Sequence, residues 1–163
     1  MKKAMIKTLC ILTLALFVMS ISGAAATTGA TTGNGGKVIT ITQLSQINTA
    51  LHKGPVFLSL GASWCPHCKA FKPTLDKLAK EYAGKVTFMS VDITKSPKLA
   101  AYFGISVIPD CSVIVSIKKG KYVYMQQNGK TTTVRSHARI LREKHARSVY
   151  EKVLNFAIKN KSS

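Results

Sequence analysis

The sequence predicts an α/β fold, a mixed central sheet with helices on both faces. Three observations predict it. Short β-branched runs alternate with helical spacings from residue 37 onward. Two strand-like runs then face each other across the turn Lys118-Lys119-Gly120-Lys121. A chain of 163 residues suits one domain. The order β-α-β-α-β-α-β-β-α places a hairpin after the alternating units, which calls for a mixed sheet with helices packed on it.

Each element has its own warrant. Residues 37–42 (KVITIT) alternate and are β-branched, as in a strand. Thr42 or Ser45 is expected to cap a helix to about Lys53, with Leu44, Ile47 and Leu51 on one face, and Gly54-Pro55 ends it. Residues 56–60 form a short apolar run, a buried strand. A helix then runs to about Tyr82, with Pro73 expected to kink it and Gly84 closing it. Residues 86–91 form a strand, and 96–103 a short helix ending at Gly104. An extended lead-in over 105–109 precedes a strand over 112–117. Residues 122–126 return as its hairpin partner, and Asn128-Gly129 marks the next turn. Ser136 is expected to cap a last helix in which Leu141, Val149, Val153 and Ala157 repeat on one face.

The first residues read as an address. Lys2, Lys3 and Lys7 precede an apolar run to about Ile21, and Ala24 and Ala26 are the small residues before a cut. We therefore expect a signal peptide over 1–26 and export, with an uncleaved membrane tether as the alternative. Residues 27–36, rich in Gly and Thr, read as a flexible tether, and the folded domain as 37–163. Cys10 leaves with the signal. Three cysteines remain, Cys65, Cys68 and Cys111, and an odd count does not suggest a fully paired disulfide scaffold.

The charge is lopsided, with 24 Lys and Arg against 6 Asp and Glu, formally +18. No acid lies between Cys111 and Arg142, while Lys118, Lys119, Lys121, Lys130, Arg135 and Arg139 do. This reads as a solvated basic face that favours anionic surfaces. Nucleic-acid binding is not expected, since no reading motif and no interleaved aromatics accompany the charge.

Cys65 and Cys68 form the motif Trp64-Cys65-Pro66-His67-Cys68. A metal site is poorly served, because structural zinc wants four ligands and no second pair exists. Haem attachment needs a histidine directly after the second cysteine, where Lys69 stands. Neither metal nor cofactor is expected.

A strand running into Trp64-Cys65-Pro66-His67-Cys68, Pro73 in the helix that follows, and Gly104-Ile105-Ser106-Val107-Ile108-Pro109 before a hairpin together resemble the thioredoxin superfamily. The resemblance covers residues 37–129. It implies a cis peptide before Pro109 and a substrate groove shaped by Trp64, Ile108 and Pro109, where the backbone of Ile108 pairs with substrate. It implies Cys65 as nucleophile at a helix N-terminus, where the dipole favours negative charge, and Cys68, one turn deeper and less exposed, as resolving thiol. Pro66 and His67 are expected to tune the pair, the histidine by stabilising the Cys65 thiolate and making the disulfide more oxidising.

Two departures matter. Thioredoxins proper bury an aspartate and a lysine near the pair, at positions that here hold Ser59 and Phe88, so the proton acceptor for Cys68 has no obvious candidate. Asp110, where a threonine is usual, is expected to oppose His67 if close to Cys65. Cys111 shares parity with Val113, Val115 and Ile117 and reads as a buried, inert thiol. The expectation is thus an exported monomeric thiol–disulfide oxidoreductase without cofactor. It would act on protein dithiols or disulfides and need a redox partner, expected in the membrane. Its direction is unresolved and leans towards oxidation. A non-catalytic basic binding module on the same fold is the alternative, and a metal-binding protein a weaker one.

Overall fold

The computed structural model describes residues 35–141 and 147–161. The expected signal segment 1–26 and all of the tether before residue 35 lie outside them, as do Arg142 and His145.

The elements follow the expected order with shifted ends, save that two short strands and a 3₁₀ turn, none of them expected, stand between the hairpin and the last helix. They are β1 (Ile39–Thr40), α1 (Leu44–Leu51), β2 (Val56–Gly61), α2 (Pro66–Glu81), β3 (Thr87–Asp92), α3 (Pro97–Tyr102), β4 (Asp110–Lys118), β5 (Lys121–Met125), β6 (Thr131–Thr132), a 3₁₀ turn (Arg135–Ala138), β7 (Ile140–Leu141) and α4 (Arg147–Lys161). Among the described residues the strands form one sheet in the order β1-β3-β2-β4-β5-β6, with β7 added beside β4. β1, β3 and β2 run parallel, while β2–β4 and β4–β5 are antiparallel. The fold is the thioredoxin fold, a mixed sheet with helices on both faces.

Strand parity divides the core in two. Phe57, Phe88, Cys111 and Val113 point to one face and pack with Phe71, Leu75 and Leu78 of α2 and with Tyr150, Val153, Leu154 and Ala157 of α4. Leu58, Leu60, Met89, Val91 and Ile114 point to the other, against Ile47 of α1 and Leu99 of α3. The β2–β3 register corrects the reading of Phe88: Ser59 stands opposite Ser90, while Phe88 stands opposite Phe57 and stacks on it with ring centroids 5.0 Å apart. The position opposite Ser59 thus carries a hydroxyl and no charge.

Three readings of the sequence need correction. The helix α1 is entered at Gln43 rather than capped by Thr42 or Ser45. The Gln46 side chain accepts from the Thr42 and Gln43 N–H groups at 2.9 and 3.0 Å. This is the arrangement of a capping box, in which the third helical residue reaches back to the N–H at the helix entry. Ser136 caps no long helix but lies in the 3₁₀ turn, and Leu141 belongs to β7, not to α4. The backbone of residues 110–111, beyond the reach of β5, takes β7 as its neighbour instead, with Asp110 opposite Leu141 and Cys111 opposite Ile140. In the β4–β5 turn, Lys119 and Gly120 both have positive φ, 49° and 73°, the geometry of a two-residue hairpin.

Candidate active site around Cys65 and Cys68

β2 is buried almost along its length and delivers the chain directly into the pair. Cys65 is the N-cap of α2, in an extended conformation, and Pro66 follows at the first helical position, where its missing N–H costs nothing. The Cys65 Sγ accepts from the Cys68 N–H at 3.2 Å. One sulfur therefore occupies the place of a capping oxygen, among the unpaired N–H groups of the first turn. Both cysteines are free thiols. His67 is exposed on the same turn.

The relative exposure of the two cysteines is the reverse of the expectation. Cys65 is 4% exposed, whereas Cys68 is half-buried. Capping turns the Cys65 sulfur inward. On the other side, Gly61 at the end of β2 brings no side chain over Cys68, and a Cβ there would come within 3.0 Å of the Cys68 Sγ. Cys68 instead lines an open hollow of about 390 Å³ with Ser59, Gly61, Ser90, Asp92 and Pro109. Its walls carry hydroxyls and carboxylates, and it is large enough to hold several waters. The hollow leaves room for water beside Cys68, at the place where the missing aspartate left the proton acceptor unassigned.

The Ile108–Pro109 peptide bond is cis. Pro109 is buried, Ile108 half-buried and Val107 43% exposed, so the loop shows an apolar edge beside the pair. Trp64 is 61% exposed, yet its ring is fixed by a 3.0 Å hydrogen bond from Nε1 to the Thr94 hydroxyl. Thr94 is itself held in a turn in which its N–H and that of Lys95 donate to Asp92 Oδ1.

Asp110 also differs from its expected role. It is fully buried, and its two oxygens are met by Arg135 at 2.8 and 3.1 Å and by Arg139 at 2.7 Å. Two guanidinium groups compensate the carboxylate, so it does not stand as a bare charge opposing His67. Arg135 and Arg139 correspondingly leave the solvated basic face to which the sequence assigned them. A signal for this was present. An acid directly after a buried proline and before a core strand must find a cationic partner, and the next stretch carries only cations.

Cys111 lies opposite Ser59 in the sheet and is fully buried, its thiol 3.5 Å from the Ser59 hydroxyl. Burial pushes its pKa up to about 12. It is a packed core thiol in this fold. Among the described residues no group of three or more His, Cys, Asp or Glu is placed to hold a metal ion.

A family model for thioredoxin matches residues 38–139. The chain is 32% identical over 110 residues to a thioredoxin H-type of Chlamydomonas reinhardtii, covering 64% of this chain and 97% of that one. It is 39% identical over 72 residues to thioredoxin C-2 of Corynebacterium nephridii, and 44% identical over 55 residues to a chloroplastic M-type thioredoxin of Zea mays. Those matches span 64% and 33% of the relatives' own lengths, less than two thirds of each. Among solved structures, the long form of thioredoxin F from spinach chloroplast superposes with a TM-score of 0.52 at 27% identity, over 79% of this chain and 89% of that one. A mutant thioredoxin from Halobacterium salinarum shares the fold with a TM-score of 0.56 at 12% identity, over 76% of this chain and 93% of that one. With Cys65 capping α2, the cis-proline loop beside the pair and the family model running through both, the chain belongs to the thioredoxin family.

Proposed function

We propose that this protein is an exported thiol–disulfide oxidoreductase that exchanges disulfides with protein substrates through Cys65 and Cys68. One observation carries the reading: the Cys65 sulfur caps α2 at 3.2 Å from the Cys68 N–H, and the cis-Pro109 loop borders the hollow that Cys68 lines.

In the oxidising direction a substrate thiolate attacks the Cys65 sulfur of the Cys65–Cys68 disulfide. The sulfur–sulfur bond breaks, and Cys68 leaves as a thiolate that takes a proton from water in the hollow. A second substrate thiolate then attacks the substrate sulfur of the mixed disulfide and releases Cys65 as a thiolate. The substrate loses two electrons and the pair gains them. A membrane-bound disulfide partner removes those electrons in the next cycle. Reduction is the same path run backwards. His67 on the first turn of α2 and the export signal support oxidation as the working direction. Trp64, Ile108 and Pro109 form the groove, and pairing through the Ile108 main chain suits a broad range of extended segments.

The test is trapping. Cys68→Ser protein mixed with a disulfide-bearing protein substrate is expected to accumulate a mixed disulfide through Cys65. Cys65→Ser is expected to accumulate none. Equal trapping by both variants, or by neither, contradicts the assigned roles.

A further inference from the structure

The groove loop is held by a device outside the cysteine motif. Between the end of α3 and the start of β4, residues 103–110 carry the cis bond, and none of them from 103 to 109 belongs to a helix or strand. Such a loop needs other partners for its backbone. Arg135 Nη1 donates to the Phe103 carbonyl at 3.0 Å, and the Arg135 guanidinium also lies over the Phe103 ring, 5.6 Å from its centroid. Arg139 donates to the Gly104 carbonyl and to the Ser106 hydroxyl, each at 3.2 Å. Both arginines then converge on the Asp110 carboxylate at the far end of the loop.

The two ends of the loop are therefore tied to each other through one buried acid and two planar cations. The arginine side chains are 9% and 19% exposed and the Asp110 side chain 0%. Forked, charge-assisted bonds of this kind fix direction as well as distance. What lies between the tied ends is Val107, Ile108 and Pro109, the residues that would meet a substrate main chain. Arg139 is itself placed by its neighbour Ile140, which pairs with Cys111 beside Asp110.

We propose that Asp110, Arg135 and Arg139 form a clamp that positions the Val107–Pro109 edge for capture of extended polypeptide substrates, with Arg139 setting the position of the loop's first half. None of the three touches the reacting sulfurs, so they are positioning residues. The proposal rests on the oxidoreductase reading above.

The clamp makes a split expectation. Its loss should weaken capture of a polypeptide, which needs the loop edge, and leave exchange with a small disulfide, which needs only the cysteines. Arg139→Ala keeps the paired Arg135–Asp110 contact and is the variant of choice. Removing Arg135 would take both of its bonds from a fully buried carboxylate, leaving it to Arg139 alone, and endanger the fold. Turnover would be measured with insulin as the protein disulfide and with oxidised glutathione as the small one, alongside the equilibrium constant of the pair against glutathione. Arg139→Ala is expected to raise KM for insulin about tenfold, the scale of a misplaced binding edge, with kcat little changed. The rate with oxidised glutathione and the glutathione equilibrium constant should stay within about twofold of wild type, since neither uses the loop edge. Arg139→Lys, which keeps the charge but not the fork, should recover the fold fully and the insulin KM only in part. An unchanged insulin KM, or equal losses on insulin and glutathione, overturns the clamp while leaving the oxidoreductase reading in place. A wild-type protein that exchanges with neither substrate overturns both.

Discussion

Three residues near the pair carry consequences of their own. Cys111 has the chemistry of a thiol without its reactivity, because burial holds its proton up to about pH 12, with the neighbouring Ser59 hydroxyl pulling the other way and the Asp110 charge adding to the push. Iodoacetamide at pH 8 is therefore expected to modify Cys65 and Cys68 in the native reduced protein and Cys111 only in denaturant. Mass analysis showing three adducts on the folded chain would contradict this. Gly61 matters through what it lacks. Gly61→Ala would place a methyl group 3.0 Å from the Cys68 sulfur and 3.4 Å from its Cβ. The crowding is expected to cost about 1–3 kcal/mol by urea unfolding. It should also slow the release of trapped mixed disulfides, the step the proposed mechanism assigns to Cys68. His67 is exposed one residue before Cys68, close enough to act on the pair by charge and too open to be a packing residue. His67→Val is expected to make the disulfide less oxidising by about 30 mV, a tenfold change in the exchange equilibrium. A shift of the opposite sign would remove its tuning role.

At the scale of elements, the parts legible in the sequence are those with a period. β2, α2, β3 and β4 announce themselves by apolar runs and helical spacing, and the cysteine pair falls at the junction where a strand becomes a helix. The stretch from residue 131 to 141 has no such period. It folds as β6, a 3₁₀ turn and β7, and its conformation is set by partners distant in sequence: the open edge of β4, the Asp110 carboxylate and the carbonyls of residues 103–104. A one-dimensional pattern cannot display those partners, and so Arg135 and Arg139 read as surface cations. β7 is only two residues long, yet Ile140 is fully buried in the core shared by α2 and α4. Ile140→Ala is expected to lower unfolding stability by about 2–5 kcal/mol, the range for truncating a buried aliphatic side chain. Because Arg139 precedes it, the same variant should raise KM for a protein disulfide. A stability loss below about 0.5 kcal/mol, typical of a surface position, would show that β7 is peripheral.

For the molecule as a whole, burial of weak acids sets the response to alkali. The Cys111 thiol is raised by burial from 9.0 to about 12, and the Tyr122 and Tyr124 hydroxyls from 10.0 to about 12, again chiefly by burial. The unfolded chain gives up these protons first, so above pH 9 it binds fewer protons than the native state and stability falls with rising pH. The contribution is complete below pH 9 and is lost as pH climbs towards 12. Urea midpoints measured from pH 8 to 11 should decline from about pH 9 upward, and Cys111→Ser, which has no thiol to titrate, should flatten the first part of the decline. A flat profile would contradict the burial of these groups. The same burial explains what the sequence showed of the site and what it withheld. Residue types and spacing identify the cysteines and Pro109. The inversion of exposure between Cys65 and Cys68 depends on Gly61 and on the hollow beside it, which only packing reveals. The account rests on Cys65 and Cys68 forming a reversible two-electron couple, and the measurement that tests this most directly is the reduction potential of residues 27–163 equilibrated with glutathione, beside a Cys111→Ser control. The account predicts one couple, unchanged in the control, on the oxidising side of about −200 mV, where disulfide donors lie. A couple near about −270 mV would contradict the oxidising direction, and the absence of any reversible couple would contradict the function itself.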